Sequence, residues 1–252
     1  MWRKIAVAVI VAVAVLAAAV YAAFRLSPWP SVLLIRYTFD RGAAETAAAI
    51  APSVPQGISA RLGLSYAPGD PDALFDGFAP ADLDKPLPAI VWVHGGGFVS
   101  GTRSDLSGYL RILAARGYVT VALDYTLAPT AVFPTPVRQV NVALSHIAAH
   151  AADFNIDPQR IFLAGDSAGA HIVAQSALVI SNADYARQLQ IEPGLTRASL
   201  RGLLLYCGPY DPGVMNFDGP FGDFMRTVLW SYIGTRATRG TRACSRCRCT
   251  RM

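Results

Sequence analysis

Two short glycine-rich runs carry the residue types that nucleophilic catalysis needs. Gly165-Asp166-Ser167-Ala168-Gly169 follows an apolar stretch that reads as a strand and opens one that reads as a helix. In that context a G-x-S-x-G run is a nucleophile elbow, with the serine on a sharp strand-to-helix turn that larger neighbours would block. Its hydroxyl then stands clear of the backbone at a helix N-terminus, where the dipole favours developing negative charge. His94-Gly95-Gly96-Gly97-Phe98 also follows a strand directly. Three glycines let that backbone turn so that its N–H groups point into a site, where they form an oxyanion hole with the N–H of Ala168. Either run alone has a bland explanation, a chance match or a loop that only reverses the chain. The pair, in this order and context, points to acyl transfer through a serine.

The elements that must position these runs are legible in the hydrophobic pattern. Ala89-Ile90-Val91-Trp92-Val93 is a continuous apolar strand before the first run, and Arg160–Ala164 is one before the second. Tyr118–Leu123 and Leu203–Tyr206 complete four such strands, and Leu106–Arg116, Val137–Ala152 and Ala168–Ile180 read as helices. Strands buried on both faces and separated by helices predict an α/β fold with a mostly parallel central sheet. Upstream, Gly57–Tyr66 alternates apolar and polar residues as a half-buried strand does. Ala67–Pro86, rich in Pro, Asp and Gly, reads as loop and hairpin. Ser31–Ile50 reads as a helix with Val32, Ile35 and Phe39 near one face, joined to what precedes it by Leu26–Pro30.

Taken with Asp124-Tyr125-Thr126-Leu127-Ala128-Pro129, the HGGGF and GDSAG runs resemble those of α/β-hydrolases. The likeness is to the hormone-sensitive-lipase-like esterases and their acetyl-xylan and feruloyl esterase relatives, from about Gly57 to about Gly234. The resemblance implies an α/β-hydrolase fold, with Ser167 as nucleophile and the backbone of Gly95, Gly96 and Ala168 as oxyanion hole. It implies a small-molecule ester, usually a short acyl or acetyl one, as substrate. In such relatives the histidine of the first motif is structural, which assigns that role to His94. Asp166 beside the nucleophile points away from the hydroxyl and bonds neighbouring loops, and Tyr125–Pro129 packs behind the oxyanion hole. No cofactor or metal is implied, because the nucleophile and backbone dipoles are the chemistry. Formamidases and peptidases share both motifs, so an amide substrate stays open.

The rest of a triad is harder to find. Its members come in the chain order serine, acid, histidine in this fold. After Ser167 the sequence contains one histidine, His171. It lies one helical turn on, so its side chain should point along the helix and serve as a hydrogen-bonded core histidine. Asp211, Asp218 and Asp223 follow the fourth strand of the run, which resembles strand six of the family, whereas the family's acid and histidine follow strands seven and eight. The reading is therefore a sheet lacking its last strands with the catalytic acid and histidine missing, either a C-terminally truncated or frame-shifted chain or one that needs a partner chain to complete its site. Leu203–Tyr206 would then be an exposed apolar edge.

The N-terminus sets the expected compartment. Met1-Trp2-Arg3-Lys4 precedes twenty uncharged residues, Ile5–Phe24, and then Arg25. As a helix that run is about 30 Å long, enough to cross a bilayer core. It exceeds the apolar core of a signal peptide, and Tyr21-Ala22-Ala23 is a poor cleavage site, so an uncleaved single-pass anchor is favoured over a cleaved signal. Arg3 and Lys4 keep the cytoplasmic side, which makes the catalytic domain extracytoplasmic, periplasmic or extracellular.

Among the 252 residues, 53% are hydrophobic and 15% charged, which excludes disorder for the bulk of the chain. The net charge of +5 does not indicate nucleic-acid binding. From Arg226 onward there are seven arginines and no acid, so the basic groups sit in a tail rather than on a folded surface. Thr235–Met252 contains no Leu, Ile, Val or aromatic residue and is expected to be disordered. Cys244, Cys247 and Cys249 in that tail, and His146 with His150 four apart on a helix, have metal-like spacing. Neither set gathers a complete ligand set. Trp92 needs nothing beyond core packing. The expected organisation is an anchor or signal over 1–25, a linker helix over 26–56, an incomplete α/β-hydrolase domain over 57–234 and the tail over 235–252. A non-catalytic hydrolase-like binding module and a non-functional fragment are the rival readings.

Overall fold

The computed structural model describes residues 1–211, 217–219 and 221–236. Two long helices lead, α1 (Trp2–Leu26) and α2 (Trp29–Ile50), separated only by Ser27 and Pro28. The chain then runs β1 (Ile58–Ser65), β2 (Leu74–Pro80), β3 (Leu87–Val93), α3 (Ser107–Ala114), β4 (Val119–Leu123) and α4 (Thr135–Ala149). It continues with β5 (Ile156–Asp166), α5 (Ala168–Ser181), α6 (Ala183–Leu189), β6 (Leu200–Tyr206) and α7 (Gly222–Ile233). The six strands form one sheet in the order β1-β2-β4-β3-β5-β6. The pairs β4–β3, β3–β5 and β5–β6 are parallel, while β2 pairs antiparallel with both β1 and β4.

Alternation along the strands builds two cores. Ala89, Val91 and Val93 of β3 pack with Val121, Leu123, Ile161 and Leu163 and with Val140, Leu144 and Ile172 of α4 and α5. Ile90 and Trp92 point the other way, onto Phe78, Leu110, Ala114, Ala122 and Ala164. Both faces of the central strands are thus covered, which is why they read as unbroken apolar runs.

Three elements differ from the expectation. The loop-and-hairpin segment Ala67–Pro86 holds strand β2, which was masked by the Asp76-Gly77 pair at its centre. Asp76 is buried, and its charge is met by the Arg103 guanidinium at 2.9 Å. Helix α6 was missed although Asn182 caps it, its side-chain oxygen accepting the N–H groups of Asp184 and Tyr185. Helix α7 was missed too. It buries Val228, Leu229, Tyr232 and Ile233 and stops at Gly234, where the composition changes. Helix α2 starts at Trp29 rather than Ser31. Strand β6 is an edge of the described sheet and leaves Leu204 and Tyr206 exposed, as expected. Apart from Thr235 and Arg236, the arginine-rich tail and its cysteines lie outside the described residues.

Helix α1 has no buried residue and is long and apolar enough to cross a bilayer by length and composition. Helix α2 is different, because Val32 is fully buried in the main core. Helix α5 is pressed onto the sheet where a Cβ added at Gly169 would lie 2.0 Å from the Val93 carbonyl oxygen. That contact is backbone on backbone, so Gly169→Ala should cost about 3 kcal/mol or more. By contrast, a Cβ at Gly77 of β2 meets nothing within 4 Å, and Gly77→Ala should shift stability by less than about 1 kcal/mol. Urea midpoints of the full chain in detergent distinguish the two, and an unaffected Gly169→Ala would refute this account of the α5 packing.

Candidate active site

Ser167 occupies the single position between β5 and α5, with φ 51° and ψ −115°. A non-glycine residue held there costs on the order of 1–3 kcal/mol, so the surroundings must fix it. They do so through the backbone. The Ser167 N–H donates to the Tyr206 carbonyl of β6 at 2.7 Å, and its own carbonyl accepts the His171 N–H at 3.2 Å. The side chain is exposed, and its hydroxyl bonds to no other side chain among the described residues. Ala168, the first residue of α5, is buried beside it.

The glycine run meets this turn from β3. A Cβ built on Gly95 would lie 2.3 Å from Asp166 Oδ2, so only a glycine lets the two motifs close on each other. Asp166 is turned away to accept the Trp92 indole N–H at 3.0 Å, and Trp92 stacks on Tyr206 at 5.6 Å. Trp92 is therefore more than core packing. Gly96 adopts φ +93° and its carbonyl accepts the N–H groups of Val99 and Ser100 at 3.2 and 3.0 Å. Among the described residues the N–H groups of Gly95, Gly96 and Gly97 donate to no backbone carbonyl.

A buried polar framework holds the run. The His94 ring is buried, hydrogen-bonds through Nδ1–H to the Gly95 carbonyl at 2.9 Å and stacks on Tyr125 at 4.5 Å. The Tyr125 hydroxyl donates to the carbonyls of His94 and Gly95 at 3.1 and 3.3 Å. Burial, then the nearby carboxylates Asp166 and Asp124, raise the Tyr125 phenol and keep it a donor. Asp124 lies 3.8 Å from His94 Nε2 and is held by the Arg103 backbone N–H at 2.6 Å and by the Arg103 guanidinium. The Ala128 N–H donates to the Phe98 carbonyl at 2.9 Å, so Tyr125–Pro129 does pack behind the run.

Helix α2 and helix α7 close the loop from outside, and neither role was legible from local sequence. Arg36 donates to the carbonyls of Val99 and Ala128 at 2.6 and 3.3 Å, and Asp40 accepts the Ser100 hydroxyl at 2.9 Å. Tyr232 stacks on Phe98 with centroids 3.8 Å apart. Between α2 and the glycine run lies a cavity of about 280 Å³, lined among others by Phe39, Gly42, Ala43, Gly96 and Asp166.

The remaining titratable candidates lie elsewhere. His171 is fully buried, hydrogen-bonds through Nδ1 to the Pro209 carbonyl at 2.8 Å and meets Phe98 and Tyr232 edge-on. It is the core histidine that its position predicts. His146 and His150 stack at 4.2 Å, with His150 Nδ1 on the His146 carbonyl at 2.8 Å. Asp223 pairs with Arg226 at 2.8 Å on the surface. Among the described residues no three His, Cys, Asp or Glu side chains gather as metal ligands.

Known proteins resemble this chain in sequence and fold. An esterase from Gibberella moniliformis is 33% identical over 163 residues, which cover 63% of this chain and 49% of the relative. The chain thus spans about half the length of that curated relative. Among solved structures, an inhibited esterase B from Lactobacillus rhamnosis superposes with a TM-score of 0.71 at 20% identity, over 81% of this chain and 67% of that one. An esterase from Pyrobaculum calidifontis gives 0.65 at 24%, over 85% and 68%. A bacterial heroin esterase gives 0.62 at 28%, over 78% and 61%. The fold is that of the α/β-hydrolases, of the hormone-sensitive-lipase-like kind. The sequence model of the BD-FAE family matches residues 75–211, more than half of the chain and the whole span from β2 to the end of β6. The chain belongs to the BD-FAE family.

Proposed function

We propose that this chain is a serine carboxylesterase-type hydrolase that takes a small ester, with a short acyl group, onto Ser167. The observation that carries the reading is the strained, exposed Ser167 at the β5–α5 turn, closed against a glycine run whose N–H groups have no backbone partner among the described residues. In the reaction Ser167 Oγ adds to the ester carbonyl carbon, and the carbonyl electron pair moves onto oxygen. The N–H groups of Gly95, Gly96 and Ala168 receive that oxyanion. Collapse expels the alcohol, which leaves with the serine proton, and water then hydrolyses the acyl-serine. The esterase names of the similar proteins agree with this chemistry. The steps on Ser167 call for no cofactor.

The proton transfers are where this chain is weak. His171 is the one histidine after Ser167, and burial, partly offset by the Pro209 carbonyl, pushes its pKa down to about 4. Its Nδ1–H is held by that carbonyl, and Nε2, the atom left to act as a base, is buried without a hydrogen-bond partner among the described residues and so does not engage the Ser167 hydroxyl. In the best-studied serine triad, losing the histidine lowers turnover by about 10⁶ and leaves roughly 10³–10⁴ over water. The proposed behaviour is a nucleophile that acylates slowly and deacylates more slowly still. We place the domain over residues 57–234 outside the cytoplasm, tethered by residues 1–25.

The full chain in detergent should therefore release at most one equivalent of p-nitrophenol per chain from p-nitrophenyl butyrate, and Ser167→Ala should remove that burst. Sustained turnover lost in Ser167→Ala would mean that a base exists after all. Equal behaviour of the two proteins would sink the catalytic reading and leave a binding module.

His171 also sets a pH dependence of stability. Its folded pKa lies below the unfolded value of 6.5, so the unfolded chain binds more protons between about 4 and 6.5. Stability is complete above pH 6.5 and is lost as pH falls toward 4, by about 3 kcal/mol at most. His171→Asn, which keeps a donor toward Pro209, should flatten that part of the urea-midpoint profile. An unchanged slope would assign the loss to other groups.

A further inference from the structure

We infer that the outer face of the first two turns of α2 lies in the interface of a lipid bilayer, on the same helix whose later turns line the cavity beside the glycine run. The inference rests on the reading of α1 as a membrane anchor, and it concerns a different surface.

Helix α2 has two apolar faces where a soluble surface helix has one. The inner face is occupied at its start, with Val32 fully buried and Ile35 packed on the core, while Phe39, still 38% exposed, meets Phe224 at 5.7 Å and borders the cavity. The outer face carries Leu33, Leu34 and Tyr37, which are 58%, 60% and 64% exposed, with Trp29 one turn earlier at 41%. Isolated exposed leucines need no explanation, but four large apolar side chains along one strip do. Beyond Tyr37 the outward positions turn charged or small, at Arg41, Ala44, Glu45 and Ala48. The apolar strip is thus confined to the half of α2 next to α1.

That confinement identifies the occupant. Only Ser27 and Pro28 separate Trp29 from the last residue of a helix apolar enough to span a bilayer. From Trp29 to Tyr37 the helix advances about 12 Å, comparable with the thickness over which an interfacial helix meets headgroups and upper acyl chains. Aromatic rings paired with arginines suit that zone: Arg25 over Tyr21, Arg36 over Trp29 and Arg41 over Tyr37, at 5.8, 5.4 and 5.8 Å. The opposite side of the same helix supplies Phe39, Gly42 and Ala43 to the cavity. These residues follow the strip along α2, so the cavity lies across the helix and further along it from the lipid-facing residues. The substrate class that follows is an amphiphilic ester partitioned into the interface.

The test uses the full chain reconstituted into vesicles of phosphatidylcholine with a minority of phosphatidylglycerol. Tyr37→Trp and Glu45→Trp each add one tryptophan to α2, and its emission is read with lipids brominated high on the acyl chain. Flotation with the vesicles checks the anchor separately. The expected result is flotation of both variants, with the added emission quenched by about half for Tyr37→Trp and hardly at all for Glu45→Trp. Flotation with neither position quenched, or with both quenched equally, overturns the interfacial placement while leaving the anchor standing. Failure to float overturns the anchor, and the placement with it. Quenching of Tyr37→Trp replaced by self-association of the chain assigns the strip to a second copy and overturns the inference.

Discussion

The site depends on one backbone constraint, the turn that carries Ser167 from β5 into α5 with a positive φ. That conformation costs energy in isolation and persists only because both of its peptide groups are tied. The N–H is held by Tyr206 on the neighbouring parallel strand and the carbonyl by the first turn of α5. Gly169 then allows α5 to press onto Val93. The strain is thus offset by the sheet itself, and the hydroxyl is delivered without any side chain having to hold it. This explains why β6 matters although none of its side chains is assigned a chemical role.

A second constraint supports the first. The glycine run must expose N–H groups, so it cannot satisfy them internally and needs its carbonyls anchored instead. Tyr125 takes the carbonyls of His94 and Gly95, and Arg36 takes those of Val99 and Ala128. Burying Asp76, Asp124 and His94 would be costly alone. Arg103 bridges the two carboxylates, and the His94 ring bonds the Gly95 carbonyl. The polar network is buried because it carries the loop, and it is tolerated because its charges are paired.

Much of this was legible in the sequence where local pattern and backbone chemistry coincide. The GDSAG run after an apolar strand located Ser167, and the parallel strands announced themselves as unbroken apolar runs. What failed was long-range. Strand β2 was hidden because Asp76, a loop-like residue in isolation, is neutralised by Arg103 from 27 residues downstream. Likewise, nothing local to Arg36 or Asp40 reveals contacts with a loop about sixty residues away. Trp92 reads as packing until Asp166 is placed beside its N–H. Residues whose role is a distant partner leave no periodic trace, whereas residues whose role is a backbone conformation do.

Helix α2 draws these constraints together. A segment that only linked an anchor to a domain would be free to tolerate polar substitution on every side. This one cannot, because Val32 sits in the core and Arg36 and Asp40 hold the backbone of the glycine run. Helix α2 is therefore coupled to the glycine run through contacts of hydrogen-bond length. A bilayer acting on that strip would do two things at once, concentrating amphiphilic esters beside the cavity and fixing the helix that orders the site. Preorganised donors gain most in such a setting, because water is excluded and the dipoles need no reorganisation when charge develops. Ser167 and the glycine run supply one half of the proposed chemistry, and β3, β5, β6 and α2 hold them in place. Proton transfer is a separate requirement, and His171, the one histidine after Ser167 in this sequence, keeps its Nε2 buried and without a hydrogen-bond partner among the described residues.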